Sequence, residues 1–354
     1  MQKYELSFKG QNIFVGIDVH LKTWSVTVLT ASGLKRQFTQ PSDSRSLFDH
    51  LRKNYPEGSY HAVYESGFCG YSTCYELRSL GVDCIIVNAS DVPLTQKDRL
   101  SKTDPADSLR LARSLREGSL SGIYVPDPVM LDDRGVVRHR EMIIKDMSRC
   151  KSRIKHLLYT NGVKYPNQFQ RSRQHWTRSF IMWLENEVRL LGSTRMSLDL
   201  LIEELHSYRH MLLKSTGAVR ELSRAERYRE RFNRLVSIPG VGLITAMTLL
   251  TETFEGNRFS SVKKFVSYLG LVPVMRNSGE FVRQGELTPR GNQHIRRMLI
   301  ESAWVSIRCD AELSSAFGHY CQYMKKAQAI VRIAKKLASR ICHILKTNEY
   351  YKCR

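Results

Sequence analysis

The stretch 12–29 constrains the fold most strongly, because it has the pattern of a β-hairpin with an acid in its first strand. Residues 13–19 are β-branched or aromatic except for Gly16 and Asp18, and a second such run begins at Trp24. Side chains alternate along a strand, so the glycine and the acid share one face of the predicted sheet. Asp18 therefore points out of the sheet beside a residue that leaves space next to it. Capping of the following turn is the ordinary alternative.

The rest of the first third predicts alternating strands and helices. In chain order the pattern indicates a strand, a helix, a strand that ends at Glu65, a helix, a buried strand and an amphipathic helix, at residues 34–39, 42–54, 60–64, 71–80, 82–87 and 102–117. Three adjacent strands followed by this alternation are typical of ribonuclease-H-like folds, in which helices flank a mixed sheet. We therefore expect an α/β domain here.

Three further acids fall at element ends in this domain. Glu65 ends the predicted fourth strand, where a loop or capping role is the default, while Asp104 and Asp107 open the last helix. Asp104 as N-cap, Pro105 as the first helical residue and Asp107 in the first turn explain that segment structurally. Yet four carboxylates on one spot would repel unless cations neutralised them, and oxygen ligands suit magnesium or manganese. Two such ions about 4 Å apart can hold a scissile phosphate.

At this point the chain resembles a known family. The motifs G-I-D at Asp18, Y-E-S-G at Glu65 and K-T-D-x-x-D at Asp104 and Asp107 are similar to the acid tetrad of insertion-sequence transposases with a RuvC-like domain. That family includes the Piv-type DNA invertases and the bridge-RNA-guided recombinases. The resemblance implies a RuvC-like catalytic domain over residues 1–127, whose four acids are catalytic and hold Mg2+ or Mn2+.

The distribution of charge separates this domain from the rest of the chain. The net charge is +21, and residues 1–127 hold 15 basic against 14 acidic residues, which leaves 40 against 20 beyond them. So large a basic excess implies a polyanionic partner, most often nucleic acid. The N-terminus has no apolar signal-peptide core, no apolar run reaches membrane-spanning length, and the eight cysteines are scattered. We expect an intracellular protein without a membrane partner, zinc site or disulfide framework.

The middle of the chain, residues 128–228, is predicted to be a helical connector. Residues 132–159 and 176–231 are dense in Arg, Lys, Glu and Leu with few helix breakers, which predicts long helices. Their basic excess favours nucleic-acid backbone contact or a coiled-coil dimer arm, and a salt-bridged surface helix is the alternative. The family resemblance implies a partly coiled-coil connector.

The segment 235–250 has the pattern of a helix, a tight turn at residues 239–242 and a second helix. A helix-hairpin-helix exposes backbone N–H groups that can bind a phosphate, so Gly240 and Gly242 are candidate nucleic-acid-binding residues. An ordinary helical turn is the alternative. In the resembling family the same segment opens a mainly helical C-terminal domain, here residues 229–354.

The segment 269–303 contains the sequence N-S-G at residues 277–279, which is a turn signal. Its pattern of G-L-x-P, S-G, R-x-G and G-N-x-x-I-R-R is similar to that of the family. The resemblance places the family's catalytic serine on Ser278, although no evident base stands beside it in sequence and an unactivated hydroxyl is a poor nucleophile. The candidate phosphate-binding cations around it, for each of which a solvated helix face is the alternative, are Lys263, Lys264, Arg290, Arg296 and Arg297.

Together the resemblance implies a DNA transposase or recombinase. Metal held by the acids and attack by Ser278 would cleave and exchange donor and target DNA, with a structured bridge RNA as guide and a homodimer or homotetramer as the active assembly. A RuvC-like nuclease or resolvase that uses water as nucleophile is the main alternative. An actin-like phosphotransferase and a catalytically inactive nucleic-acid-binding protein also remain open.

Overall fold

The computed structural model describes residues 7–93, 103–253, 258–278 and 281–352. The chain forms two compact units, Met1–Val125 and Pro126–Arg354. Within the described ranges, the first unit contains β1 (Asn12–Val19), β2 (Thr23–Thr30), β3 (Lys35–Pro41), α1 (Ser44–Asn54), β4 (Ser59–Glu65), α2 (Ser72–Ser79), β5 (Asp83–Val87) and α3 (Asp104–Arg116). This is the predicted order of elements, with ends shifted by one or two residues.

The five strands form one mixed sheet in the order β3-β2-β1-β4-β5. The first three strands pair antiparallel, whereas β4 pairs parallel with both β1 and β5. Strand β1 is therefore the centre of the sheet, and its last residues lie beside the carboxyl end of β4. The predicted mixed α/β sheet is confirmed, and its topology is consistent with a ribonuclease-H-like domain.

Alternation along β1 directs its side chains to two different layers. Ile13, Val15 and Ile17 are fully buried in a core that also contains Leu47 of α1 and Leu77 of α2. Helix α3 covers the opposite face of the sheet. The predicted division of the strand into an apolar face and a face with Asp18 is thus seen in the structure, with α3 above the second face.

The second unit is mainly helical, as predicted. Within the described ranges its elements are α4 (Pro128–Thr160), α5 (Arg178–Asn186), α6 (Gly192–Arg224), α7 (Glu226–Val236), α8 (Leu243–Thr253), α9 (Val262–Tyr268), β6 (Pro273–Ser278), β7 (Phe281–Leu287), α10 (Gln293–Cys309), α11 (Ala311–Cys321) and α12 (Lys326–Thr347). Among the described helices, none is both long and apolar enough to cross a membrane.

Two hydrophobic cores stabilise this unit. One joins α4, α5 and α6 through buried residues such as Ile154, Phe180 and Leu198. The other joins the C-terminal helices and includes Leu299 of α10 and Leu337 of α12. The long helical pattern at 176–231 is divided into α5, α6 and α7, because a short non-helical segment follows Asn186 and the backbone at Ala225 is not helical.

Candidate active site and nucleic-acid interface

Gly16 allows α3 to lie directly against the central strand. A Cβ atom on Gly16 would stand 2.1 Å from the Ser108 carbonyl oxygen and 2.5 Å from the Ala112 nitrogen, so the space left by this glycine is filled by helix backbone. The buried Ser108 hydroxyl also lies 2.9 Å from the hydroxyl of Thr27 on β2. Close packing of strand and helix is what brings the first turn of α3 to the face that carries Asp18.

Asp18 and Asp104 lie on either side of His20. The His20 Nε2 atom is 3.3 Å from a carboxylate oxygen of each acid. Burial raises the pKa of Asp18 above its usual value, the His20 ring opposes that shift, and the nearby charges of Asp104 and Asp107 add to it. Because neighbouring carboxylates repel one another, a group of acids at this spacing favours a bound cation.

Arg110 links the other two predicted acids. Its guanidinium Nη2 lies 3.1 Å from a Glu65 oxygen and 3.0 Å from an Asp107 oxygen. The Arg110 and Asp107 side chains are only 16% and 14% exposed, so solvent screens this contact weakly. The four acids named from the sequence thus occur as two pairs, one with His20 between its members and one with Arg110, and the charge of Asp107 also raises the pKa of Asp18.

The side chains around Asp18 offer ligand atoms that suit a divalent cation. One ligand atom each from Asp18, His20 and Asp104 lies within 4.8 Å of the others. Two carboxylate oxygens and an imidazole nitrogen are a donor set that Mn2+ accepts, and the carboxylates alone suit Mg2+. Asp18 and Asp104, with the adjoining Asp107 and Glu65, would hold the ion.

One structural explanation offered for the acids is corrected by the structure. Thr103, rather than Asp104, is the N-cap of α3, because Asp104 already has the helical backbone conformation of a first-turn residue. Pro105 follows it in the first turn, where a proline costs no hydrogen bond. Asp104 is therefore free to direct its carboxylate to His20 instead of back to the helix start.

Sequence reasoning missed His20 and Arg110, although each carried a signal. His20 stands two positions after Asp18, so strand alternation places both on one face. Arg110 follows Asp107 by three residues, which is one helical turn. Their partners across the fold, Asp104 and Glu65, are distant in sequence, so a local pattern does not pair them.

The predicted helical turn at residues 239–242 is present between α7 and α8. Gly240 has a φ of +89°, and a Cβ atom there would lie 2.5 Å from the Ser302 carbonyl oxygen of α10. The Ser306 hydroxyl donates to the Pro239 carbonyl at 2.7 Å, which fixes the turn on the same helix. Gly242 is exposed, with open space around it. Packing alone thus accounts for Gly240, while the backbone at Gly242 remains accessible to a phosphate.

The predicted phosphate-binding cations are in different surroundings. Lys263 and Lys264 are exposed at the start of α9, and Arg290 is exposed before α10. Arg296 instead donates to the carbonyl oxygens of Gly270 at 3.3 Å and Thr288 at 2.8 Å. That arginine therefore joins the segments that enter and leave the β6–β7 hairpin.

Arg297 pairs with Glu141 of α4 at 3.0 Å, and the same carboxylate is also bound by His294 and by Lys145. Burial opposes ionisation of Glu141, but the hydrogen bonds from His294 and Lys145 hold its pKa below its usual value. Arg297 already pairs with Glu141, so a phosphate would compete with that carboxylate. Arg297 is therefore a weaker candidate for phosphate binding than the two exposed lysines.

A second buried carboxylate supports the start of α10. Glu252 is 1% exposed and receives two hydrogen bonds from the Arg138 guanidinium, at 2.6 and 2.8 Å. Asn292, the N-cap of α10, donates to the same carboxylate at 2.7 Å. Burial raises the pKa of Glu252, but the bonds from Arg138 and Asn292 outweigh it and lower the pKa overall.

Ser278 is the last residue of β6, and its backbone pairs with Phe281 of β7. Its side chain and residues 279–280 lie outside the described part of the chain. At the base of this hairpin a Cβ atom on Gly291 would stand 2.6 Å from Gly270, so the segments that flank the two strands pass close to each other at these glycines. The structure thus places Ser278 at the tip of a hairpin whose base is fixed by packing and by Arg296.

Comparison with known proteins agrees with both units. Residues 15–161 match a family described as transposase, of the DEDD type from IS110, and residues 232–318 match the transposases of the IS116/IS110/IS902 family. Together the two matches cover about two thirds of the chain.

Whole-chain similarity extends to curated transposases. The chain is 29% identical over 309 residues to the putative transposase y4qE of Sinorhizobium fredii, which covers 82% of this chain and 71% of the relative. It is 27% identical over 312 residues to the transposase for insertion sequence element IS1533 of Leptospira borgpetersenii, which covers 83% and 85% of the two chains.

The mixed sheet with its acids and these matches define the class of the protein, which is a transposase, an enzyme of DNA recombination. Within that class the chain is an insertion-sequence transposase of the IS110/IS116/IS902 family. The DEDD domain of this family also indicates that the enzyme uses divalent metal.

Proposed function

We propose that this transposase cleaves and rejoins DNA strands at a divalent metal site formed by Asp18, Glu65, Asp104 and Asp107. The observation that carries the proposal is the convergence of these acids, from β1, β4 and α3, around His20 and Arg110. Four acids from three elements, paired with one arginine and one histidine, have capacity for more positive charge. Bound Mg2+ or Mn2+ would stabilise the charge that develops on the phosphate oxygens.

The attacking group in this proposal is the hydroxyl of Ser278. Its oxygen forms an ester bond with the phosphorus of the DNA strand as the bond from phosphorus to the leaving sugar oxygen breaks, and that oxygen takes up the proton. Because one phosphoester replaces another, little bond energy is lost and the strand can be transferred to a second DNA end. The position of Ser278 at the end of β6, above a fixed hairpin base, supports its delivery to a phosphate.

The basic second unit would bind the nucleic-acid partners. Exposed Lys263 and Lys264 and the accessible turn at Gly242 offer contacts to phosphate, and a helix-hairpin-helix would use the N–H groups of that turn. We further propose donor and target DNA as substrates, a structured RNA as guide, and a homodimer or homotetramer as the active assembly. Such an enzyme works inside the cell.

Trapping of a covalent adduct tests the choice of nucleophile. The wild-type protein, incubated with nicked DNA from the ends of its own element, is expected to form a protein–DNA adduct that survives denaturation. Ser278→Ala should form none, whereas the control Ser267→Ala, in α9, should behave as wild type. Normal recombination by Ser278→Ala would overturn the serine mechanism, and strand cleavage without any adduct would indicate water as the nucleophile.

A further inference from the structure

The side chain of His20, which contacts both Asp18 and Asp104, carries a nitrogen atom that could bind a metal ion. From its position we infer that His20 is itself a metal ligand, one that makes this site select Mn2+ and later transition ions over Mg2+. The inference deepens the proposed function, since it rests on a divalent ion bound by Asp18 and its neighbours.

The backbone fixes His20 on the acidic face of the sheet. His20 directly follows β1, and its N–H donates to the Thr23 carbonyl at 3.2 Å, which closes the β1–β2 turn. Since side chains alternate, the residue two positions after Asp18 points to the same side. The ring is thereby delivered next to the acid by the hairpin itself.

The distances around the ring match those between neighbouring ligands of one ion. Metal–ligand bonds of about 2.1 Å that meet at about 90° place neighbouring donor atoms about 3 Å apart. The His20 Nε2 atom stands 3.3 Å from an oxygen of Asp18 and 3.3 Å from an oxygen of Asp104. The ligand atoms of Asp18 and Asp104 also lie within 4.8 Å of each other, so the three side chains can surround one ion.

The access and chemistry of the ring agree with this role. The His20 side chain is 49% exposed and that of Asp104 is 61% exposed, so an ion can enter from solvent. A neutral imidazole offers one nitrogen lone pair, which a metal can take in place of the contacts with the two acids. Magnesium prefers oxygen ligands, whereas an imidazole strengthens binding of transition ions.

The other reading of the same contacts is a cationic histidine that only neutralises the two acids. In that case the His20 side chain would turn away when the ion binds, and the ion would be bound by oxygen atoms alone. The two readings differ in one measurable quantity, the presence of a nitrogen in the first coordination shell of the bound metal.

Pulsed electron paramagnetic resonance of Mn2+ bound to the full-length protein measures that quantity. We expect modulation from a directly bound histidine nitrogen in the wild type and its loss in His20→Gln, which replaces the nitrogen donor by an amide oxygen. His61→Gln is the matched control, because His61 lies in the same unit and also contacts an acid, Asp83, at 3.1 Å. The control should keep the wild-type modulation.

Calorimetric titration of the same variants with Mn2+ and with Mg2+ gives a second readout that needs no activity. The preference for Mn2+ over Mg2+ should fall on the order of ten-fold in His20→Gln and stay unchanged in His61→Gln. Circular dichroism spectra identical to wild type would confirm that the variants are folded.

Each outcome has a distinct meaning. Mn2+ binding that is lost in Asp18→Asn but shows no nitrogen modulation in the wild type would overturn the role of His20 and leave the metal site intact. Mn2+ binding that Asp18→Asn does not alter would instead remove the metal site of the proposed function, and the inference about His20 with it.

Discussion

Gly16 and Ser108 are in direct contact across the interface between strand β1 and helix α3. A Cβ atom on Gly16 would lie 2.1 Å from the Ser108 carbonyl oxygen. The first turn of that helix carries Asp104 and Asp107, so the contact decides how far these acids stand from Asp18.

Replacing Gly16 by alanine should therefore damage both stability and metal binding. Gly16→Ala forces the helix away from the strand, and overpacking of this kind costs about 1–3 kcal/mol of unfolding free energy. Urea denaturation should show that loss, and Mn2+ affinity should fall in the same variant. Gly135→Ala, a helical position with open space around it, should be neutral or stabilise by up to about 1 kcal/mol. Wild-type stability in Gly16→Ala would show that the helix is not seated on the strand.

In the absence of metal, Arg110 should stabilise the fold by neutralising part of the charge of Glu65 and Asp107. Arg110→Met leaves Glu65 and Asp107 without their shared cation, which is expected to cost on the order of 1–3 kcal/mol in EDTA. Added Mn2+ should restore much of that loss, because the ion neutralises the same acids. Thermal denaturation with EDTA and with Mn2+ measures both values.

The control for this prediction is Arg45→Met. Arg45 pairs with Asp49 one helical turn away, and both side chains are more than half exposed. We expect a change below about 0.5 kcal/mol that Mn2+ does not affect. An equal loss for Arg110→Met with and without metal would argue against a shared role of its two acids in binding an ion.

The buried Glu252 should make the second unit sensitive to acid. Its pKa in the folded protein lies below the usual value of about 4.3 that it regains on unfolding. Its ionised form therefore stabilises the fold above that unfolded value, and the contribution is lost as the pH falls through the lower folded pKa. The urea midpoint should fall from pH 7 to pH 3 by more in the wild type than in Glu252→Gln. Glu230→Gln, whose exposed carboxylate pairs with Arg234, should retain the wild-type pH dependence.

Arg296 and Lys264 should have separable roles in the second unit. Arg296→Ala removes hydrogen bonds to two carbonyl oxygens at the hairpin base and is expected to cost about 1.5–3 kcal/mol of stability. Lys264→Ala should leave stability unchanged and lower the slope of DNA affinity against salt by about one unit. Fluorescence anisotropy at several salt concentrations, with urea denaturation, measures both. A change of salt slope in Arg296→Ala without loss of stability would reverse the assignment.

Much of the first unit could be predicted because its signals are local. Strand alternation put Asp18 on the face opposite Ile13, Val15 and Ile17, and the order of elements followed from hydrophobic periodicity. The cap of α3 was predicted one residue too late, since a threonine and an aspartate in succession both suit an N-cap. Local propensity could not decide between them.

Ion pairs between residues far apart in the chain could not be predicted from the local sequence pattern. Arg138 and Glu252 are separated by 114 positions, and a glutamate within an apolar helix gives no indication of which cation accompanies it into the core. The same holds for Arg296 and Arg297, which were expected at phosphates and instead contact protein oxygens. Whether nucleic acid also reaches them stays a prediction, as does the role of Ser278.

The central claim is that Asp18, Glu65, Asp104 and Asp107 form one metal site at which DNA is cleaved. Its most direct test is to measure Mn2+ affinity and metal-dependent cleavage of element DNA in parallel for Asp18→Asn, Glu65→Gln and Asp107→Asn. The account predicts that each variant stays folded, binds Mn2+ at least about ten-fold more weakly and loses cleavage by about a hundred-fold or more. Wild-type Mn2+ affinity and cleavage in these variants would contradict it.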